Sequence, residues 1–193
     1  MTIKTHDPVS IDGFPSDATH PARWTSLNIG LHWLIAGLIV VQAIDAQWIP
    51  ALFDASVEGK AVGGVAFTMG WMHMLTGGLI FLAIALRLWD RFAHGRPPYP
   101  ADEPNWAQRI AKASHGGLYA LLLAMPVAGL ATWITKSETI ASVHTWAWSA
   151  LLTLIGLHVA GTLANRYWFH SRTDVLRRMM PGQGRNRSNA PRT

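Results

Sequence analysis

The sequence contains no cysteine among its 193 residues. Disulfides, cysteine-ligated iron–sulfur clusters and thiolate zinc sites are therefore excluded. Charged residues are also scarce, at 14% of the chain, whereas hydrophobic residues make up 50%. This balance indicates a membrane protein rather than a soluble domain. Any redox chemistry must use ligands other than thiolates, and nine histidines are present.

The net charge of +5 is not accompanied by a DNA- or RNA-binding motif. The basic residues instead flank apolar segments, and the ten tryptophans are typical of rings at membrane interfaces. We therefore expect membrane lipid as a partner, and no nucleic acid. The first 26 residues lack an apolar run and include three prolines, so we do not expect a cleaved signal peptide.

Four apolar stretches are each close to the roughly 20 residues that cross a hydrocarbon core. They span residues 27–48, 68–89, 113–133 and 142–167. The sequence thus predicts an all-α integral membrane protein with four transmembrane helices in residues 27–168. A polar N-terminal tail, 1–26, and a basic C-terminal tail, 169–193, flank this domain, and the chain after Pro181 is predicted to be disordered.

The distribution of lysine and arginine predicts the orientation. Fourteen of the 16 lie in the two tails or in the middle connection with its helix ends, and the other two are Lys60 and Lys136. The positive-inside rule then places both termini in the cytoplasm, together with a stiff connection at 91–105 and a short amphipathic lead at 106–112.

Five histidines fall in or at the edge of the apolar stretches: His32, His73, His115, His144 and His158. An ionisable residue inside a membrane is costly, so several together indicate a functional role more than satisfied neutral side chains. Metal sites built directly on side chains usually add carboxylates or cluster their histidines more tightly. The acid in the first stretch is Asp45, and nothing in the sequence pairs it with a histidine. Haem held by two imidazoles fits better.

The fourth stretch is the most informative, because His144 and His158 are about four helical turns, roughly 21 Å, apart on one face. One helix can thus ligate two haems stacked through the bilayer. Depth then predicts the partners: His73 with His144 at the outer level, and His32 with His158 at the inner level. His115 also lies at the inner level, as the residue left over.

The second stretch carries a stripe that starts at His73 and continues through Gly77, Ile80, Ile84 and Arg87. The glycine would let a flat macrocycle approach, the isoleucines would cover it, and Arg87 could pair with a haem propionate. Each residue also has a structural alternative. Gly77 could serve only helix packing, the two isoleucines could be ordinary bundle core, and Arg87 could be an interfacial anchor.

In the order and spacing of several short pieces, the chain resembles the bacterial cytochrome b561 membrane proteins. The pieces are LNIGLHWL at 27–34, His73 with Arg87, PPYP at 97–100, SHGGLY at 114–119, MPVAG at 125–129, the pair His144 and His158, and LRRMMP at 176–181.

This resemblance implies a four-helix bundle in a bacterial inner membrane, with two haems b and electron exchange with ubiquinone. It implies that His32, His73, His144 and His158 are the axial ligands of the haem irons, with Arg87 also binding cofactor. His115 matches a family histidine that is not a ligand and is expected beside the quinone. Some members resemble superoxide oxidases, which pass electrons from periplasmic superoxide to quinone.

Three functions follow as alternatives. The first is a stand-alone oxidoreductase that passes electrons from a periplasmic small-molecule or protein donor, superoxide among them, to ubiquinone. The second is a haem b anchor subunit that relays electrons between a partner dehydrogenase or hydrogenase and the quinone pool. The third is a haem-free transporter or interaction protein. The outer connections carry two lysines against Asp54, Glu58 and Glu138, which offers an anionic donor no positive steering field.

The orientation is testable because a cysteine-free chain accepts single reporter cysteines. We expect Ser137→Cys to react with an impermeant thiol reagent in cells whose outer membrane is permeabilised, and Ser188→Cys to react only after the inner membrane is opened. Labelling of Ser188→Cys in cells with an intact inner membrane, with Ser137→Cys protected, would reverse the topology.

Overall fold

The computed structural model describes residues 23–98, 104–167 and 179–180. Within these residues the chain forms five α-helices and one 3₁₀ turn. They are α1 Ser26–Asp45, the 3₁₀ turn Ala46–Trp48, α2 Ile49–Glu58, α3 Gly64–His94, α4 Asn105–Thr135 and α5 Glu138–Tyr167. Most of the predicted tails, 1–26 and 169–193, lies outside the described residues.

Four helical stretches in the described part of the chain are long and apolar enough to cross a membrane. They are Ser26–Glu58, which contains α1, the 3₁₀ turn and α2, then Gly64–His94, Asn105–Thr135 and Glu138–Tyr167. This confirms the predicted all-α architecture with four spans. The 31 residues of α3 or α4 give a helix of about 46 Å, so each exceeds a hydrocarbon core about 30 Å thick by several turns.

The helix ends follow local chemistry. Thr25 caps α1 by accepting a hydrogen bond from the Asn28 backbone N–H at 2.9 Å. Pro50 occupies the first turn of α2, where its missing N–H costs nothing, and Gly59 ends that helix in the left-handed region at φ 67°. Lys136 ends α4 at φ 54°, which allows the short connection into α5.

The helices extend beyond the predicted apolar stretches, and the predicted start of the cytoplasmic connection is wrong. The outer connection after the first span is not a loop throughout, because residues 49–58 form α2, whose Leu52 is buried against Gly70. The cytoplasmic connection starts later than predicted, because α3 continues to His94. The amphipathic lead at 106–112 is part of α4 and runs without a break into the span. In each case a polar or short segment extends a helix already stabilised by packing.

The helices run up, down, up and down, with α1 against α3, α4 against α5, and α3 against α4. We call the two ends of the bundle the Asn28 end and the Asp45 end, after the buried polar residues near each end of α1. The core between them is apolar and contains Leu31, Ile35, Ile80, Ala83, Ile84, Leu122, Met125 and Leu151.

Most large apolar side chains face outward. Phe92, Trp146 and Ile134 are 82%, 77% and 70% exposed, and α5 buries only Leu151. A water-soluble protein rarely exposes so much contiguous apolar surface, whereas a bilayer solvates it.

Buried polar contacts join α1 to α3 near the Asn28 end. The Thr25 hydroxyl donates to Asp90 Oδ2 at 2.6 Å, and Asn28 Nδ2 donates to the same oxygen at 3.1 Å and to the Arg87 carbonyl at 3.3 Å. Asn28 and Asp90 are 0% and 2% exposed. Hydrogen bonds of this kind associate helices where lipid removes the hydrophobic drive between them.

Candidate functional site

His73 of α3 and His144 of α5 lie next to each other near the Asp45 end. Their ring centroids are 6.5 Å apart and the ring planes are inclined by 68°. A cavity of about 810 Å³ contains both rings in its wall, together with the core residues Ile80, Leu122 and Leu151. That volume is in the range of cofactor pockets, about 300–1,000 Å³.

The His73 ring and its backbone are both held by α1. Asp45 Oδ1 lies 2.6 Å from His73 Nδ1, and the carboxylate is 2% exposed. One turn earlier, Gln42 Nε2 donates to the His73 carbonyl and to the Thr76 hydroxyl, both at 2.7 Å. Because an ionised carboxylate only accepts hydrogen bonds, Nδ1 carries a proton, and in the neutral ring Nε2 then keeps its lone pair.

His144 is held in the same tautomer by α4. Its Nδ1 donates to the Met125 carbonyl at 3.0 Å, and a carbonyl can only accept. Gly129 permits this approach, because a Cβ there would lie 3.3 Å from His144 Cε1. In their neutral form both rings of the pair therefore present an unprotonated Nε2, the form that ligates a metal.

The geometry of this pair fits an iron held between two imidazoles. Two metal–nitrogen bonds of about 2 Å each, plus the distance from each nitrogen to its ring centre, separate the ring centroids by about 6 Å. The observed 6.5 Å matches that separation. The neighbouring apolar cavity suits a flat macrocycle better than a bare ion.

A second group of titratable side chains lies nearer the Asn28 end. The His115 and His158 ring centroids are 5.0 Å apart, and His115 Nδ1 donates to the Ala111 carbonyl at 2.6 Å. His32 is close enough to both rings, and to Arg87, to interact with them electrostatically. The His32 ring stacks edge-on against Trp33, with centroids 5.5 Å apart. The ring contact of His158 is thus with His115 rather than with His32, the partner expected from depth.

Arg87 is 6% exposed, and its Nε is buried without a hydrogen-bond partner among the described residues. Its guanidinium also interacts with Tyr119, whose ring lies 5.6 Å below the Arg91 guanidinium carbon. A buried guanidinium with an unused donor suits an anionic group such as a propionate. It does not fit the alternative of a plain interfacial anchor.

The remaining members of the stripe on α3 are Gly77, Ile80 and Ile84, and they lie partly in the bundle core and partly at the cavity. Ile80 and Ile84 belong to the bundle core, at 5% and 2% exposure, and Ile80 also lines the cavity. Gly77 lines the cavity too, but an added Cβ would lie 3.5 Å from Gln42 Nε2. That distance is an ordinary van der Waals contact, so packing of α1 against α3 does not by itself require glycine at this position.

Sequence reasoning was wrong about Asp45, which pairs with His73 although 28 residues separate them. It also missed Gln42, the Met125 carbonyl and Gly129. The available signal was weak: Gln42 and Asp45 are two polar residues one turn apart in an apolar helix, a spacing that points both to the same neighbour.

Comparison with known proteins gives consistent results. A family model described as prokaryotic cytochrome b561 matches residues 23–182. A cytochrome b562 of Cereibacter sphaeroides is 28% identical over 163 residues, covering 84% of this chain and 99% of that protein. A probable superoxide oxidase CybB of Yersinia pestis is 23% identical over 180 residues, covering 82% and 96%. Cytochrome b561 homolog 2 of Escherichia coli is 24% identical over 190 residues, covering 83% and 92%.

The matched region includes all four membrane-crossing helices and the histidines of both groups. A cytochrome b carries haem b, which agrees with the paired imidazoles and the apolar cavity at the Asp45 end. The chain belongs to the prokaryotic cytochrome b561 family of multi-pass membrane electron-transfer proteins.

Proposed function

We propose that this protein binds two haems b and passes electrons across the bacterial inner membrane, from a periplasmic donor to ubiquinone. His73 and His144 ligate the haem at the Asp45 end, which faces the periplasm. His32 and His158 ligate the haem at the Asn28 end, which faces the cytoplasm. The observation that carries the proposal is the 6.5 Å ring pair His73–His144 beside an apolar cavity.

The chain's residues do the binding and positioning, while bound haem supplies the one-electron chemistry. The Met125 carbonyl and the Asp45 carboxylate fix the ring tautomers of His144 and His73. The apolar helices exclude water from the path between the two ends. At the Asn28 end, the unused Nε donor of Arg87 supports its assignment to a propionate.

The orientation rests on the basic residues, most of which belong to the connections and tails of the Asn28 end. A cytoplasmic Asn28 end also puts the quinone site where protons for its reduction are available. His115 is the proposed group there. With Nδ1–H donated to the Ala111 carbonyl, Nε2 of the neutral ring can take up a cytoplasmic proton and then pass it to a quinone oxygen. Among the described residues the neighbouring Ser114 hydroxyl is buried without a hydrogen-bond partner, so it can donate to a quinone oxygen directly.

Superoxide is the proposed donor, on the strength of the name of the Yersinia pestis relative. Two superoxide anions are each oxidised to O₂ and release one electron each. One ubiquinone takes both electrons and two cytoplasmic protons to become ubiquinol. No protein acid or nucleophile is needed on the periplasmic side.

The charges at the cavity oppose fast steering of an anion. Asp54 and Glu138 line it, Lys60 is paired with Glu58 at 2.7 Å, and Lys136 bonds Ser56 at 3.0 Å. Because these charges disfavour an anionic donor, the donor experiment below also tests the alternative function, a relay subunit.

The ligand scheme predicts two low-spin b haems per purified chain, because two axial imidazoles favour six-coordination. We expect His144→Ala to lose the haem at the Asp45 end and His158→Ala to lose the other, measured by haem-to-protein ratio and visible spectrum. His94→Ala, at a half-exposed side chain on the end of α3, is the matched control and should keep both. A single haem in the wild type contradicts the scheme.

We expect His115→Ala to keep both haems and to slow ubiquinone reduction about 100-fold, the usual contribution of a positioned acid or base. The rate is measured by following reoxidation of pre-reduced protein by a short-chain quinone. Loss of the haem at the Asn28 end would instead make His115 the ligand opposite His158, in place of His32. The 5.0 Å contact between the His115 and His158 rings is the observation that supports this alternative ligand.

The donor is tested by stopped-flow mixing of superoxide with the oxidised protein. We expect haem reduction with a rate constant that approaches the diffusional ceiling of about 10⁸–10⁹ M⁻¹s⁻¹ and is held a few-fold below it by the cavity carboxylates. Asp54→Asn and Glu138→Gln should raise the rate constant at low ionic strength by a few-fold, because they remove negative charge from the cavity. Glu58→Gln, which does not line the cavity, is the control. Slow reduction by superoxide, with fast reduction by a copurified dehydrogenase or hydrogenase, establishes the relay subunit instead.

A further inference from the structure

Asp45 is a buried carboxylate whose presence the fold alone does not explain. It is 2% exposed, and its Oδ2 is buried without a hydrogen-bond partner in the part of the chain that the structure describes. Removing such a charge from water costs several kcal/mol unless partners compensate. Among the described residues its hydrogen-bond partner is the His73 ring, while Lys60 pairs with Glu58 and Lys136 bonds Ser56.

Asp45 does not cap a helix end. The chain continues helically through the 3₁₀ turn Ala46–Trp48 into α2, so no free helix terminus lies beside the carboxylate. Its contact with another helix in the described residues is the one with His73 Nδ1, at 2.6 Å.

Gln42 adds a second contact between α1 and His73. It lies one turn before Asp45 and donates to the His73 carbonyl at 2.7 Å. One face of α1 thus holds both the backbone and the ring of His73. His144, across the cavity, is held by the neutral Met125 carbonyl instead, at 3.0 Å.

We propose that Asp45 is the positioning residue for His73 as an iron ligand and lowers the reduction potential of the haem at the Asp45 end. This inference rests on the proposed ligation by His73. The carboxylate locks the Nδ1–H tautomer, points Nε2 into the cavity and makes the ring a stronger electron donor. A stronger donor favours ferric over ferrous iron.

The carboxylate contact distinguishes the two proposed haem sites. Of the four proposed ligands, His73 is the one with a carboxylate partner among the described residues. A lower potential at the periplasmic haem makes electron flow toward the cytoplasmic haem downhill. The same contact that aligns the ligand therefore sets the direction of transfer.

The test uses the full-length holoprotein with Asp45→Asn. An amide keeps the size of the side chain but replaces a charge-assisted hydrogen bond with a neutral one of about half the strength. We expect roughly a tenfold shift toward ferrous iron at that haem, a potential about 59 mV higher by redox titration. The other haem is an internal reference and should not move, and neither should either potential in Glu58→Gln.

Two further variants keep the proposal falsifiable if Asp45→Asn loses the haem. Asp45→Glu keeps the carboxylate, so its potential and its ferric electron paramagnetic resonance spectrum should stay closer to wild type than those of Asp45→Asn. Asp45→Ala should release that haem to an acceptor protein about 10- to 100-fold faster than wild type. Unchanged potential, spectrum and haem release in Asp45→Asn and Asp45→Ala overturn the inference.

Failure of the inference is distinct from failure of the ligand scheme. If His73→Ala keeps the haem at the Asp45 end, His73 is not a ligand and both proposals fall. If His73→Ala loses that haem while all three Asp45 variants match wild type, the ligand scheme stands and only the role of Asp45 falls.

Discussion

The contact between α1 and α3 is the constraint on which the rest of this structure depends. In a bilayer, lipid tails are as apolar as the side chains between helices, so burial alone does little to bring two helices together. Here polar side chains join the pair near both ends, through Thr25, Asn28 and Asp90 at one end and Gln42 and Asp45 at the other. Two fixed points hold the rotation and the register of α1 against α3 and so determine which face of α3 meets the other helices.

The second pair of helices uses small residues and an exposed carbonyl. Gly129 leaves room for the His144 ring, whose Nδ1 reaches the Met125 carbonyl, and Gly117 lies against Leu154. Pro126 lacks an N–H, so the helical hydrogen bond that it removes is the one to the Leu122 carbonyl, one turn earlier in α4. The space for the His144 ring comes from Gly129, where a Cβ would lie only 3.3 Å from His144 Cε1.

Residues that join α1 to α3 near the Asp45 end also belong to the candidate site. Gln42 joins two helices and holds the backbone of a proposed iron ligand. Asp45 carries a burial cost that is offset at His73. The buried polar groups of a membrane protein are expensive, and those described at the Asp45 end contact His73. The same face of α1 therefore serves both helix association and the proposed cofactor site.

Much of the architecture could be predicted from the sequence because it depends on properties of single segments. Hydropathy over about 20 residues is local, so the four spans were predicted, and the spacing of His144 and His158 follows from helix geometry alone. The family was also recognisable, since the order of short motifs needs no contacts. The ends of α3 and α4 and the existence of α2 were not predictable, because packing extended or created helices where the local pattern was weak.

Only the tertiary structure decided which side chains meet. The rotation of each helix about its axis is set by all its neighbours, and hydropathy says nothing about it. Depth alone grouped three histidines at the Asn28 end, and the packing brought His115 rather than His32 into ring contact with His158. The pairing of Asp45 with His73 joins residues on different helices and needs α1 to turn that carboxylate toward α3. The sequence by itself determined the spans and the residue types available to hold a cofactor, because both are properties of single helices; the partners of each histidine were decided by contacts between helices.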